Sequence, residues 1–411
     1  MEPPAQDAEH SAEHSAEGVE GAEPRPEADG LRVSLVERLS AHGAIRSVAV
    51  ERAMLAVPRH LFLPGVSLAQ AYADVAIATH WERGVAVSSA SQPTMVAIML
   101  EQLDLQPGMR TLEIGAGTGY NAALLAELVG ADGIVTTLDI DPTIAEEARA
   151  RLWSAGYERM RVLAADGAQG APDFAPYDRI VLTAGAADIS PAWVAQLVED
   201  GLLVAPLRLG GAEASVALRK EQDGILRSVS LTPCGFMRLR GAESAPEHVV
   251  TLTNGWRLAG ERASEIGPAV ARLLEMWPRR RFWARPSPFL PLYLGLDNTG
   301  FVYLWKETGR ERRRPHGRFG LYAEGPDGPS LALLANVLPM LLTFGGSAAE
   351  RALEAEVARW RALDFPSLET WQVTAYPQGT EPPTPASSAN VRIQRRHYIF
   401  DVQLPDGRAL S

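Results

Sequence analysis

Cysteine is all but absent: Cys234 is the single one in 411 residues. One cysteine can form neither an intramolecular disulfide nor a cysteine-based metal cluster, a pattern that suits the cytosol. No apolar run reaches membrane-spanning length, and the acidic N-terminus lacks the charged-then-apolar order of a secretion signal. A cytoplasmic protein with no membrane partner is therefore expected. No phosphate loop of the Gly-x-x-x-x-Gly-Lys-Ser/Thr type occurs, so ATP hydrolysis has no support. The net charge of −11 argues against nucleic acid as a partner. Residues 1–30 lack large apolar side chains apart from Met1 and Val19. Such a stretch cannot bury enough surface to offset its ordering entropy, so a disordered acidic tail is expected there. Its His10 and His14 read as solvated residues before they read as a metal tract.

What is present is a globular share of apolar residues, over a length that suits two domains plus tails. Leu31, Leu35, Val36 and Leu39 mark a helix that breaks at Gly43, and Val48, Val50, Met54 and Leu55 mark a second that stops at Pro58. Residues 66–92 read as a long irregular loop, and a helix follows from Pro93 to about Leu103. Strands at 109–115, 133–140, 160–166, 177–185 and 201–207 then alternate with helices, the pattern of a mainly parallel sheet with right-handed crossovers. Two further runs joined at Gln222-Asp223-Gly224 read as an antiparallel hairpin at the sheet edge. The domain so outlined spans 31–241. Beyond it prolines become frequent, and six of the nine tryptophans appear. Helices at 262–276 and 347–362, with strands near 299–306, 317–323, 368–375 and 390–403, predict a second α+β domain over 242–411.

The strongest motif is Glu113-Ile114-Gly115-Ala116-Gly117-Thr118-Gly119, placed where the first strand of the alternating unit ends. Glycines there let backbone amides approach a ligand, and the helix that follows offers its positive end. The third glycine comes one residue earlier than in dinucleotide-binding loops. Asp139 ends the second strand, where an acid can accept hydrogen bonds from both ribose hydroxyls. Asp166 and Gly167 end the third, where the aspartate can meet an adenine amino group. Glycine loop and acids on one sheet edge point to a nucleoside ligand.

Three more segments carry a family resemblance. Val57-Pro58-Arg59-His60-Leu61-Phe62-Leu63-Pro64, then Ala71-Tyr72-Ala73-Asp74, then Ser91-Gln92-Pro93 before a helix, resemble protein-L-isoaspartate O-methyltransferases over about 31–241. The resemblance implies a class I S-adenosylmethionine-dependent methyltransferase fold, Rossmann-like and doubly wound, with S-adenosylmethionine as methyl donor. The family's cofactor contacts map onto Ser91, Glu113, Gly115, Gly117, Thr118, Tyr120, Asp139, Ile140, Asp166 and Gly167. Its active-site serine maps onto Ser91 and its strand-four threonine onto Thr183. Two features depart from the repair enzyme: the sequence of the loop Ile77–Ser91, and the added C-terminal region. Both resemble variants that act on ribosomal peptides, which esterify an ordinary aspartate in a constrained peptide. By that likeness the acceptor is a peptide or protein, specifically a cyclised precursor, and the ester collapses to an aspartimide. Esterification of a damaged isoaspartyl residue is the alternative.

Methyl transfer to a carboxylate is an in-line displacement by a group already ionised at neutral pH, so it requires neither a general base nor a metal. Ser89 and Ser91 are expected to fix the acceptor. Thr79 and His80 sit in the loop expected to cover the site, where His80 either orients the acceptor or is a structural loop residue. Thr183 either lines the acceptor site or simply ends its strand, and Trp81 is either a lid aromatic or a packing residue. Arg279, Arg280, Arg281 and Arg285, then Arg310, Arg312, Arg313, Arg314 and Arg318, lie near tryptophans. They read as a binding surface for an acidic peptide or as a solvated face.

Overall fold

A computed structural model of the chain describes residues 26–82, 84–210, 212–243, 249–287, 289–306, 317–335, 339–384 and 390–405. Residues 1–25, with His10 and His14, and Arg310 and Arg312–Arg314 lie outside the described residues.

The chain begins with α1 (Pro26–Ala41), α2 (Val48–Ala56) and the one-turn α3 (Leu68–Ala71). The first helix starts five residues before the expected Leu31. Pro26 opens it, Glu27 and Asp29 complement its positive end, and Ala28 extends its buried stripe. Residues 66–92 are not the irregular loop expected. Besides α3 they form an antiparallel hairpin, β1 (Ile77–Glu82) and β2 (Val85–Ala90). The apolar alternation of β2 is short and half-exposed, so it leaves only a weak strand signal. Next comes α4 (Pro93–Leu103), with Pro93 at its first position.

The alternating unit follows: β3 (Arg110–Ile114), α5 (Tyr120–Val129), β4 (Ile134–Asp139), α6 (Pro142–Ser154), β5 (Arg161–Ala164), β6 (Tyr177–Leu182), α7 (Pro191–Gln196) and β7 (Leu197–Leu209). Strands β3, β4, β5, β6 and β7 are parallel in the order β7-β6-β3-β4-β5. The order reverses between β3 and β6, and the carboxyl ends of strands at such a reversal open a crevice. The hairpin β8 (Ala212–Lys220) and β9 (Leu226–Pro233) continues the sheet antiparallel beyond β7. The helices α1, α2, α4, α5 and α6 share one apolar core, which includes Leu35, Met54, Leu100, Leu124 and Leu152.

The C-terminal residues do not form one separate domain bounded at 242. They begin with β10 (Val249–Thr251), β11 (Trp256–Ala259), α8 (Ala263–Glu275), β12 (Arg279–Phe282), α9 (Leu290–Asp297), β13 (Phe301–Lys306), β14 (Arg318–Gly325), β15 (Gly328–Ala335) and β16 (Met340–Gly345). These strands make an antiparallel seven-stranded sheet in the order β10-β11-β13-β14-β15-β16-β12. After α10 (Ala348–Ala362) come β17 (Gln372–Pro377), β18 (Val391–Gln394) and β19 (Tyr398–Gln403). The last three return to the first sheet: β17 pairs with β9, giving ten strands in all. The physical reason is the open edge of β9, whose backbone groups need partners. Thr374 and Ala375 pair with Arg227 and Leu226, and the Val373 N–H donates to Ser228 Oγ at 2.8 Å. The strand expected over 390–403 is the hairpin β18–β19, turned at Arg395–His397.

One apolar core joins both sheets. Leu203, Leu207, Val216 and Trp193 of the first belong with Leu294, Phe319, Leu334 and Trp360 of the second, and with Val373 and Phe400. Deletion of residues 372–411 should therefore destabilise the whole chain. We expect Tm to fall by more than about 8 °C, as measured by scanning calorimetry, whereas an unchanged Tm would refute this coupling.

Candidate active site

The loop that leaves β3 carries the glycine motif into the crevice. The Gly115 and Ala116 N–H groups donate to Leu138 O at 2.8 and 2.9 Å, which ties the loop to the end of β4. Gly115 has φ +106°, and a Cβ there would lie 2.3 Å from Thr183 Oγ1. No other residue fits. The Thr183 hydroxyl, just past β6, lies 2.6 Å from Gly115 O and 3.2 Å from Ile114 O. Thr183 lines the cavity, but its hydroxyl is a brace for the loop. Thr118 Oγ1 accepts from Tyr120 N at 3.3 Å and caps the start of α5.

The three acids have different surroundings. Glu113 is fully buried and accepts from Asn121 Nδ2 at 2.8 Å and Thr137 Oγ1 at 2.5 Å. Burial pushes its carboxyl up from 4.5 to about 7, with the two hydrogen bonds opposing. Asp139 accepts from Gly117 N at 3.2 Å and Asp141 N at 3.1 Å, and it borders the cavity. Asp166 differs from expectation. Its carboxylate accepts from Ala168 N and Ala242 N, both at 2.9 Å, and Gly241 packs directly against it. Gly167 lines the cavity, while Asp166 is taken up by the chain on its way to the second sheet.

The opposite wall is the strand β2 and the turn into α4. A Cβ on Gly117 would lie 3.7 Å from Ser89 O and 3.8 Å from Ser88 Oγ, so the two walls nearly touch. Ser88, Ser89, Ser91 and Gln92 line one cavity of about 1380 Å³ with Gly115, Gly117, Thr118, Tyr120, Asp139 and Ile140. The motifs before α4 hold this wall in place. Arg59, 1 % exposed, donates from Nε to Ala71 O and from Nη2 to Ser91 O, both at 3.0 Å. Its guanidinium lies 4.9 Å from the Tyr120 ring centroid. Asp74 accepts from Gln92 Nε2 at 3.0 Å, Thr94 N at 2.9 Å and Thr94 Oγ1 at 2.7 Å, fixing the first turn of α4.

Thr79 and His80 do not join this lining. The pairing of β1 with β2 shifts register on both sides of His80, and the ring is carried outward. His80 Nε2 meets Glu147 Oε2 at 3.1 Å, and Glu147 also pairs with Arg151 at 2.6 Å. Trp81 reaches the cavity instead. The reading of the sequence passed over Arg59 as a brace and residues 233–240, which form a further wall with Phe236, Arg238 and Arg240. Arg240 spans the opening: Nη1 lies 3.3 Å from Glu82 Oε1, and Nη2 3.9 Å from Asp139 Oδ1. Nothing in local sequence marks these residues, because the route of the chain after β9 brings them there.

A parallel sheet with a glycine loop at its reversal point and an acid at the end of the next strand, extended past β7 by the antiparallel β8, is the architecture of class I S-adenosylmethionine-dependent methyltransferases. The cradle at Gly115, which a side chain would fill, and the Asp139 carboxylate at its rim fit that cofactor. A family model described as protein-L-isoaspartate(D-aspartate) O-methyltransferase matches residues 32–244. A protein-L-isoaspartate O-methyltransferase of Methanopyrus kandleri is 43% identical over 217 residues, 53% of this chain and 94% of that protein. One from Hyperthermus butylicus is 43% identical over 218 residues, 51% and 88% of the two chains. A solved structure named protein-L-isoaspartate O-methyltransferase shares the fold, with TM-score 0.50 at 24% identity, over 84% of this chain and 96% of its own. The chain belongs to the protein-L-isoaspartate O-methyltransferase family, and it is an S-adenosylmethionine-dependent carboxyl O-methyltransferase.

Two outcomes follow from this geometry. Arg59→Lys keeps the charge but cannot hold Ala71 O and Ser91 O together in one planar fork. We expect kcat/KM for the acceptor to fall roughly 10- to 100-fold and the cofactor Kd to move far less, read by radiolabel transfer and calorimetry. The reverse pattern would reject the brace. Because the folded protein raises the Glu113 pKa, it binds more protons there than the unfolded chain between 4.5 and about 7. That contribution to stability is present below 4.5 and is lost as pH rises through about 7. Glu113→Gln should remove this slope from the Tm–pH profile, and an unaltered profile would count against the buried carboxyl as its source.

Proposed function

We propose that the enzyme esterifies the free α-carboxylate of isoaspartyl residues in peptides and proteins, as a repair-type methyltransferase. The observation that carries the reading is one cavity lined by both the glycine loop and the Ser88–Ser91 wall, whose Ser88 Oγ and Ser89 O lie nearest Gly117. The relatives at 43% identity carry the name of that activity, which supports the same acceptor.

S-adenosylmethionine, when bound, supplies an electrophilic methyl group on a sulfonium. Asp139 and the backbone at Gly115–Gly117 are the residues that would hold it. The acceptor carboxylate is ionised at neutral pH and has no proton to lose. Its oxygen would take the methyl group that bound S-adenosylmethionine supplies, with the sulfur leaving as a neutral thioether, so the chain's part is alignment alone. Ser89, Ser91 and the wall behind them fix the oxygen in line and keep water out. Once the ester exists, the next backbone nitrogen can attack its carbonyl, releasing methanol and closing a succinimide.

A second reading, esterification of an ordinary aspartate in a cyclised precursor peptide, is favoured by the sequence of Ile77–Ser91. The C-terminal region adds less to it, because the fold of a protein named for isoaspartate methylation extends over most of this chain. Mass spectrometry separates the two. With S-adenosylmethionine, a linear isoaspartyl peptide should gain one methyl group while its aspartyl counterpart does not. Turnover of only an aspartate-containing cyclised peptide would overturn the proposal. Ser91→Ala should lower kcat/KM about 10- to 100-fold without changing the shape of the pH–rate profile between about pH 6.5 and 8.5, since orientation and not proton transfer is lost. A new ionisation in that profile would contradict the mechanism.

A further inference from the structure

The strand β12 sits at the edge of the seven-stranded sheet and pairs on one side only, with β16. Strand alternation sends Arg279 and Arg281 to one face, and Arg280 and Phe282 to the other. On the first face the arginines meet carboxylates of α10. Arg281 Nη2 is 2.5 Å from Glu354 Oε1 and 3.4 Å from Glu350 Oε1, and Arg279 Nη2 is 3.9 Å from Glu350 Oε2.

The other face lacks this balance. The register runs from Arg280 through Leu342, Leu333 and Gly320, two residues from Arg318 on the same side. Arg318 pairs with Leu304, two residues from Lys306, and Lys306 stands directly across from Trp256. These side chains therefore share one face. Lys306 Nζ and Arg318 Cζ lie 5.5 and 5.4 Å from the Trp256 ring centroid. The charge of Arg280 is near enough to Arg318 to help burial lower its pKa. Among the described residues no carboxylate pairs with Arg280, Lys306 or Arg318. Helix α8 covers the apolar part of the face, where Ile266 and Val270 pack on Leu258 and Leu333. The cationic part stays open, with Phe282 77 % exposed at its edge and Trp277, 92 % exposed, just before β12.

We propose that Arg280, Lys306, Arg318, Trp256 and Phe282 form a docking surface for an acidic, extended segment of the protein substrate, apart from the methyl-transfer cavity. Carboxylates bound there relieve the repulsion among three cations that have no counter-charge among the described residues. The open edge of β12 offers backbone groups to an added strand, and exposed aromatics beside arginines supply apolar contact. The net charge of −11 disfavours nucleic acid as the occupant of this face. The role as a substrate dock rests on the protein-methylating reading above.

The test uses the full-length protein and fluorescence anisotropy. The probe is a labelled peptide of alternating Glu and Val with no isoaspartyl residue, and the control carries Gln in place of Glu. The acidic peptide should bind at least tenfold tighter than its control and weaken with salt. Arg280→Glu with Lys306→Glu should abolish that difference while leaving turnover of a short neutral isoaspartyl peptide unchanged. If the double variant fails to fold, Arg280→Gln with Lys306→Gln gives the same readout. An isoaspartyl peptide with a Glu-rich extension should also show a KM severalfold below that of a neutral extension in the native enzyme only. Equal binding of both probes, or an unaltered preference in the variants, overturns the proposal, as does an oligonucleotide of equal charge that binds more tightly than the acidic peptide. Binding is read without methyl transfer, so a native enzyme that turns over the isoaspartyl peptide but shows no preference for the acidic probe refutes this inference alone. Intact acidic-peptide binding without isoaspartyl turnover refutes only the repair reading.

Discussion

The site depends on one close contact, between the backbone at Gly115 and the hydroxyl of Thr183. The loop after β3 must turn sharply to aim its amides and the start of α5 into the crevice. It is held on one side by Leu138 O and on the other by Thr183 Oγ1. That contact spans the point where strand order reverses, so it ties β3, β4 and β6 together at the place the ligand needs them. A methyl group on Gly115 would collide with the brace, and a smaller residue at 183 would remove it. Beneath the loop, Glu113 is locked by Thr137 and Asn121 and acts as a support.

The acceptor wall is built on the same logic with different parts. Arg59 gathers a carbonyl from the α3 turn, a carbonyl from Ser91 and the face of Tyr120. Asp74 does the equivalent for the first turn of α4. Three segments far apart in sequence thus become one rigid frame, which suits a reaction whose barrier is lowered by alignment and not by proton transfer. The C-terminal region is bound into this frame through β17 on β9, through the shared core, and through Ala242 on Asp166.

The parallel unit was legible because short strands rich in Leu, Ile and Val alternate with helical patterns and are separated by glycines and prolines. The glycine loop and Asp139 were legible for the same reason, since they sit where such strands end. His80 was misplaced because a register shift in the β1–β2 pair decides which way its ring points, and no local pattern reports that shift. The bond from Ala242 N to Asp166 was not legible, because only tertiary folding brings the two together. The return of the last strands to the first sheet was not legible for a related reason. Strands β17, β18 and β19 carry ordinary strand patterns, and only the unfilled edge of β9 determines which sheet they complete.

The central claim is that cofactor and acceptor meet between the glycine loop and the Ser88–Ser91 wall. Hydrogen–deuterium exchange tests it most directly. S-adenosylhomocysteine should slow exchange at residues 115–120 and 138–141. Adding an isoaspartyl peptide should then slow residues 86–92 as well. Peptide-dependent protection that leaves 86–92 unchanged and falls elsewhere on the chain would contradict the account.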